Sequence, residues 1–402
     1  MRRVAFLSLH TCPLLQPGRG WAGGMNVYID ELARALAREG IRVDVFTRQH
    51  GRSEPETVVV EKGFLLHHIN AGPLREISPE RTMRFLGVFT DGVLDRLEDI
   101  KDISLIHSHY WLSGWAGMRI KQATGLPAIN SFHTLGKVKD RSGGDGAVSS
   151  SRYRLSTEQE VIDASDRIIV STEREKLDLV DLYGANPVDI CVAVPGVNHD
   201  LFAPGVRSAA RIRLGWPDVP TVLFVGRIQS LKGPDVALEA FQGIASRIGD
   251  ARLVIVGAAA GDDGEFVWEN LQRRAKAADL GDRVTFADPV PHREMPDVYR
   301  GSDVVLVPSR SESFGLVAAE AQAAGIPVIA ANVGGLPSVL PATSGGVLVD
   351  GWNGEEWSQA LYQVLTDSNM SKKLQDAGPR EAERFSWESA VERIVEIYDG
   401  VS

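Results

Sequence analysis

In the stretch "FVGRIQSLKGP", residues 224–234, Arg227 and Lys232 lie on the loop that leaves an apolar, strand-like run. Two cations five residues apart at the C-terminal end of a strand suit a diphosphate, the guanidinium binding as a planar fork and the ammonium as a point charge. Taken as an isolated pair they read more readily as solvated loop charges. A second stretch, "SRSESFGLVAAEAQAAG", residues 309–325, follows the strand-like run "DVVLVP" and opens a helix. The backbone N–H groups of Ser313, Phe314, Gly315 and Leu316 at that helix start form a seat for an anion. Glu312 and Glu320 are eight residues apart, slightly over two helical turns, so both carboxylates can face one crevice. Carboxylates there suit sugar hydroxyls such as a ribose diol.

Near the N-terminus, "GRGWAGGMNVY" reads literally as G-x-G-x-x-G at Gly18, Gly20 and Gly23. A dinucleotide-binding turn needs its first glycine directly at the strand end and an acid at the end of the second strand. Here the first strand ends near Leu9, eight residues intervene before Gly18, and Thr47 and Arg48 stand where the acid belongs. The dehydrogenase reading therefore fails. Gly23 and Gly24 still precede the helical pattern "MNVYIDELARALARE" and offer bare backbone to an anion.

These loops need scaffolds, and the chain has the length for them. Its 402 residues, 44% hydrophobic and 24% charged, suffice for two globular domains. Short β-branched runs ("VAFLSL", "RVDVF", "SLIHSH", "LPAINSF", "RIIVST", "DICVAVP") alternate with amphipathic helical ones, and the alternation restarts at "TVLFVGR". The fold class is α/β, two parallel sheets with helices on both faces. Proline and glycine interrupt both periodicities over residues 194–220, which puts the boundary near Ala203. The tail from Trp352 onward is helical without strands, and Trp111, Trp115, Trp352, Trp357 and Trp387 read mostly as core and interdomain packing. The loop over residues 140–152 reads as mobile.

A net charge of −10 argues against non-specific nucleic-acid or acidic-membrane binding. No apolar run reaches about 18 residues, and Cys12 and Cys191 are too few for a disulfide framework, which fits a cytoplasmic protein. His107 and His109 in "HSHY" share one face of a strand without a nearby acidic pair, so they read as structural or acceptor-lining residues and not metal ligands. Asp262 and Asp263, flanked by glycines, read as a surface turn.

The Glu312-x7-Glu320 spacing, "GRIQSLKG" ahead of it and "GGMNVY" near the N-terminus together resemble the retaining, nucleotide-sugar-dependent glycosyltransferases of family 4, over essentially the whole chain. Within that family, "SLHTCPLLQPG", "IHSHYWLSG", "HTLGKVK" and "ESFGLVAAEAQAAGIPVIAANVGGLP" are similar to the branch that moves N-acetylglucosamine from UDP-N-acetylglucosamine to 1L-myo-inositol 1-phosphate. The resemblance implies a GT-B fold. This is an acceptor-binding Rossmann-like domain over 1–203, a nucleotide-sugar domain over 204–385 facing it across a cleft, and a helix over 386–402 returning to the first domain.

It further implies that Arg227 and Lys232 hold the donor diphosphate with backbone at Ser313, Phe314, Gly315 and Leu316, that Glu320 binds the ribose, and that Glu312 binds the transferred sugar. Gly24 would approach the donor phosphate and His133 would hydrogen-bond the sugar beside the reacting carbon. Asn26, Tyr110, Thr134 and Arg154 match acceptor positions, Arg154 as a phosphate ligand. No tightly bound cofactor and no metal are implied, and a homodimer is. The chain departs from the branch twice, with Trp21 in place of an aspartate and Pro79 in place of the acceptor-phosphate lysine, a cation Arg75 or Arg81 would have to replace. With the acceptor half altered, a paralogue with a different donor sugar that glycosylates a non-phosphorylated cyclitol, aminocyclitol or thiol is the second reading. A lipid-directed mannosyltransferase would want a basic docking helix, and "RTMRFLGVFTDGVLDRLEDI" ends acidic. A non-catalytic sugar-nucleotide binder would show affinity without turnover.

Overall fold

The computed structural model describes residues 2–142, 149–341 and 345–401. The loop over 140–152 that the sequence marks as mobile lies in part, at 143–148, outside the described residues. The chain forms two compact units. The first contains Met1–Leu15, Gly24–Pro195 and Trp387–Ser402; the second contains Gln16–Gly23 and Gly196–Ser386.

The first unit is built on an eight-stranded sheet: β1 (Arg3–Ser8), β2 (Arg42–Arg48), β3 (Thr57–Glu61), β4 (Phe64–Ile69), β5 (Ile103–His109), β6 (Ala128–Ser131), β7 (Arg167–Val170) and β8 (Ile190–Val192). Their order is β3-β4-β2-β1-β5-β6-β7-β8, parallel throughout except for β3, which runs antiparallel to β4. Central strands such as β1 are near-continuous apolar runs because both faces are covered. Ala5 and Leu7 enter one core cluster while Val4 and Phe6 enter the other, as the twofold period of a strand requires. The β3–β4 hairpin, "TVVVEKGFLLHHI", is absent from the sequence reading because it interrupts the strand–helix alternation with two strands and no helix.

The second unit carries six parallel strands: β9 (Thr221–Val225), β10 (Arg252–Val256), β11 (Val284–Ala287), β12 (Val304–Val307), β13 (Val328–Ala331) and β14 (Gly346–Val349), in the order β11-β10-β9-β12-β13-β14. In each sheet the strand order reverses once, between β1 and β5 in the first and between β9 and β12 in the second. Beyond the carboxyl ends of such a strand pair, an open parallel sheet leaves a crevice for a ligand.

Two details differ from the expected organisation. The division falls at Pro195/Gly196 and not at Ala203, because Val197 N–H donates to the Phe385 carbonyl at 2.9 Å and Arg300 donates to the Leu201 and Ala203 carbonyls at 3.0 and 2.8 Å. Residues 16–23 of the glycine-rich loop belong to the second unit, where Gly18 accepts from Ala258 N–H at 3.2 Å and Gln16 donates to the Pro289 carbonyl. Of the tryptophans, Trp111, Trp357 and Trp387 are buried, whereas Trp352 is exposed and Trp115 lies only partly covered. The helix Trp387–Asp399 packs with the first unit, its apolar face (Trp387, Val391, Ile394, Tyr398) sharing a core cluster with Tyr28, Leu32 and Leu36 of the helix Gly24–Arg38. Among the described residues, no helix is long and apolar enough to cross a membrane.

Candidate functional site

The loop leaving β9 stays strand-like for three residues, with Gly226 and Ile228 N–H donating to the carbonyls of Val256 and Ala258 at 3.0 and 2.9 Å. A single 3-10 turn, Ser230–Lys232, then delivers Gly233, whose φ of 69° and close approach to the Pro308 carbonyl exclude a side chain. Pro234 opens the helix Pro234–Ala245 at the position where its missing N–H costs nothing. Arg310, on the loop after β12, clamps Asp235 through two hydrogen bonds of 3.0 and 2.7 Å, so the loops after β9 and β12 are fastened together at the reversal point.

That fastening brings sequence-predicted residues into contact. Lys232 Nζ lies 2.7 Å from Glu312 Oε2, which also accepts from the Ser309 hydroxyl at 3.2 Å. Arg227 is backed by Gly23 in the same unit: a Cβ at residue 23 would stand 3.3 Å from its Nε. Gly24, expected to approach the donor phosphate, begins the helix Gly24–Arg38 of the first unit. Ser313 and Phe314 form the turn into the helix Leu316–Ala323, entered through Gly315 at φ 113°. Gly334 and Gly335, after β13, press on this turn; Gly335 N–H donates to the Glu312 carbonyl at 2.9 Å, and a Cβ on Gly334 would run into the same oxygen. A Gly334→Ala variant is expected to lose about 1–3 kcal/mol by overpacking and to move Glu312 off Lys232. Denaturant unfolding checks this, and an unchanged midpoint would contradict it.

Glu320 lies inside the helix Leu316–Ala323, buried, with the Tyr299 hydroxyl donating to Oε2 at 2.8 Å and His292 Nε2 at 2.7 Å from Oε1. Burial and the adjacent carboxylate hold the Tyr299 hydroxyl well above its usual pKa, so it remains a donor. Tyr299 and His292 escape sequence reasoning because they reach Glu320 from 21 and 28 residues away with no local motif. Asp263, read as part of a surface turn, accepts from Ser230 N–H at 2.9 Å and so helps fix the loop that carries Lys232.

In the first unit the reversal point is framed by Tyr110, directly after β5, and by His133 and Thr134 after β6. Tyr110 and His133 adopt φ of 76° and 59°. For bulky residues this is a strained conformation, held here by the Tyr110 N–H bond to the Ser131 carbonyl at 2.8 Å. Arg154, from the helix Arg152–Ala164, donates to the Thr134 carbonyl and hydroxyl at 3.2 and 3.3 Å and lies 5.4 Å from the Tyr110 ring centre. Three residues named separately in the sequence are therefore neighbours. Arg154 is held by Glu158, a fully buried carboxylate 2.8 Å from its Nε that also accepts from Gly136 N–H at 3.0 Å and from the Tyr183 hydroxyl. Burial opposes the charge on Arg154, but Tyr110 and Glu158 outweigh it and raise its pKa. Glu158 and Tyr183 are further residues the sequence reading missed.

Asn26, expected as an acceptor ligand, is buried, and its amide nitrogen donates to the Thr11 hydroxyl and the Cys12 carbonyl at 3.0 and 2.6 Å, which fixes the loop after β1. Pro79 is buried at the start of the short helix Pro79–Thr82, capped by Ser78, and Arg75 and Arg81 are exposed beside it. Among the described residues, no group of three His, Cys, Asp or Glu side chains is arranged to hold a metal.

The rings of His107, His109 and His133 adjoin, with centroids 4.3 Å apart for the first pair and 5.3 Å for the second. Burial lowers the basicity of all three, to about 3 for His107 and for His133, although His133 retains some exposed surface. Between pH 6.5 and 3 the unfolded chain takes up protons that the folded His107 refuses, so this residue makes unfolding easier as the pH falls through that window. Urea unfolding midpoints should drop from pH 7 to pH 5, and less steeply in His107→Phe. An equal slope in the two proteins would contradict the assignment.

The second half of the chain, residues 207–381, matches the family "Glycosyl transferases group 1", and residues 22–201 match "Glycosyltransferase Family 4". A D-inositol 3-phosphate glycosyltransferase of Xylanimonas cellulosilytica is 42% identical over 98% of this chain and 96% of its own length. Its counterpart in Acidothermus cellulolyticus is 43% identical over 99% and 90%. The chain belongs to glycosyltransferase family 4. Sucrose-phosphate synthase from Thermosynechococcus elongatus shares the GT-B fold at a TM-score of 0.90 and 30% identity, covering 100% of this chain and 99% of that one. HepE of Anabaena, solved with UDP-glucose, shares the fold at 0.81 with 17% identity and full coverage of both chains. This family 4 glycosyltransferase is an enzyme of the transferase class, and the two reversal points are where its fold leaves room for ligands.

Proposed function

We propose that this glycosyltransferase transfers a sugar from a UDP-sugar, UDP-N-acetylglucosamine being favoured, to 1L-myo-inositol 1-phosphate with retention of configuration. The observation that carries the acceptor half is the meeting of Tyr110, Thr134 and Arg154 beyond the carboxyl ends of the paired strands β5 and β6. A fork-shaped, permanently charged guanidinium beside a hydroxyl and a phenol suits a phosphate monoester. The names of the curated relatives, D-inositol 3-phosphate glycosyltransferases, agree with this reading. On the donor side, Lys232 and Arg227 would bind the diphosphate, the N–H groups of residues 313–316 its oxygens, Glu320 the ribose and Glu312 the transferred sugar. Lys232, paired with Glu312 at 2.7 Å without ligand, keeps two more donors for phosphate oxygens.

In the reaction, the bond from the sugar's anomeric carbon to the diphosphate oxygen breaks while an acceptor hydroxyl oxygen bonds the same carbon from the same face. Its proton passes to the departing diphosphate, so no protein base is required. His133, whose basicity burial lowers to about 3, stays neutral at physiological pH and serves as a hydrogen-bonding group to the sugar. Catalysis is then electrostatic, with cations and helix-start N–H groups absorbing the charge of the leaving group.

The buried proline at residue 79 supplies no cation, which favours as a second reading an acceptor without phosphate, such as a cyclitol or aminocyclitol. Nucleotide release should be measured with a panel of nucleotide sugars against inositol 1-phosphate, free inositol and aminocyclitols. The first reading expects release only with the phosphorylated acceptor; release with the unphosphorylated ones alone would replace it with the second.

A further inference from the structure

We propose that His109 is a positioning residue that fixes the tautomer and ring orientation of His133, so that His133 carries its hydrogen on Nδ1. The inference rests, for its catalytic half, on the reading that His133 meets the transferred sugar. His109 Nδ1 lies 3.1 Å from His133 Nε2, and the two rings stack with an interplanar angle of 27°. One of these nitrogens must donate and the other accept, which leaves two arrangements.

The far nitrogen of His109 decides between them. Its ring is fully buried, and among the described residues Nε2 has no hydrogen-bond partner. If His133 donated, neutral His109 would have to carry its hydrogen on Nε2, burying an N–H with no acceptor. If His109 donates from Nδ1, only a lone pair is left unpaired. An orphaned buried N–H is the rarer and costlier defect. Hence His109 donates, His133 accepts at Nε2, and the His133 hydrogen sits on Nδ1 as a donor suited to a sugar hydroxyl.

The surroundings hold this arrangement rigid. Tyr28 packs edge-on against both rings, with centroids 6.0 Å from His109 and 5.0 Å from His133. On the other side, His107 is pinned by the Tyr398 hydroxyl at 2.8 Å and the Ser131 hydroxyl at 3.0 Å, with its ring 4.3 Å from that of His109. Tyr398 comes from the helix Trp387–Asp399, so the C-terminal helix supports the far end of the stack. His133 also holds a left-handed φ of 59°, a conformation that surrounding contacts must maintain.

The test is long-range nitrogen NMR on the full chain labelled with 15N-histidine, resonances being assigned by single His→Gln replacement. His133 should show a pyrrole-like Nδ1 and a pyridine-like Nε2. In kinetics, His109→Phe keeps the stack and loses the donor, so kcat should fall about tenfold, the size of one lost hydrogen bond, with the acceptor KM unchanged. His109→Asn, whose amide nitrogen can donate from the Nδ1 position, should recover most of the loss. A wild-type His133 with its hydrogen on Nε2 overturns the tautomer assignment whatever the kinetics of the His109 variants. A folded His109→Phe enzyme with wild-type kcat overturns the positioning role. If instead His133→Ala turns over normally, the reading of His133 itself fails and takes the catalytic half of the proposal with it.

Discussion

Lys232→Ala is expected to lower kcat by about a hundredfold to a thousandfold, the cost of removing one preorganised group that stabilises charge developing in the transition state. The charge on the departing diphosphate grows as the glycosidic bond breaks, and Lys232 stands on the loop fastened by Arg310 and Asp235 with its ammonium already beside Glu312. Two effects combine in the variant. The diphosphate loses a point charge, and Glu312 keeps the Ser309 hydroxyl but not its cation. UDP affinity should fall together with turnover, because in the proposed donor site the ammonium would meet the diphosphate in donor and product alike. Lys232→Arg should recover little, since a planar fork does not place its charge where the compact ammonium does. Calorimetric UDP binding and steady-state rates on the same protein preparations check this, and an unchanged UDP affinity would remove Lys232 from the donor site.

Removal of Arg154 is expected to discriminate between acceptors. A charge-assisted hydrogen bond contributes about 1.5–3 kcal/mol, so kcat/KM for inositol 1-phosphate should fall roughly tenfold to a hundredfold or slightly more. Any acceptor without phosphate should be indifferent. The single Arg154→Ala variant also strands the Glu158 carboxylate, which is fully buried and among the described residues would keep only Gly136 N–H and Tyr183 as partners. Leaving one partner of a buried pair alone costs about 3–5 kcal/mol of stability. The cleaner comparison is therefore Arg154→Ala combined with Glu158→Gln, which removes both charges. If that double variant uses inositol 1-phosphate as well as the wild type does, the phosphate assignment is wrong. Glu158→Gln alone should weaken the phosphorylated acceptor less, because the amide oxygen can still accept from Arg154 Nε.

The loops of the proposed donor site were legible in the sequence because each is a short contiguous motif at a strand end. Arg227, Lys232, Glu312 and the turn at 313–316 need no distant partner to be noticed, and the parallel β9/β12 pairing brings the two loops together. The groups that hold these residues were not legible. Glu158 was unremarked as one more helical acid, yet it collects Arg154, Tyr183 and Gly136 N–H. His292 and Tyr299 meet Glu320 only through the packing of another helix, and Tyr398 meets His107 across 291 residues of chain. The glycine-rich loop gave the opposite lesson. Its position in the sequence suggests the first domain, but backbone hydrogen bonding at Gly18 and the approach of Gly23 to Arg227 put residues 16–23 with the second unit. Asn26, singled out in the sequence as a ligand position, also braces the loop after β1, a role that depends on where its amide nitrogen points.

The most direct test is to incubate the protein with UDP-N-acetylglucosamine and 1L-myo-inositol 1-phosphate and analyse the product by mass and by the anomeric proton coupling in NMR. One N-acetylglucosaminyl unit should be added to the phosphorylated cyclitol, with the anomeric configuration of the donor preserved. A product of inverted configuration would contradict the same-face mechanism, and UDP binding without any product from this pair or from the wider panel would contradict the proposed transfer itself.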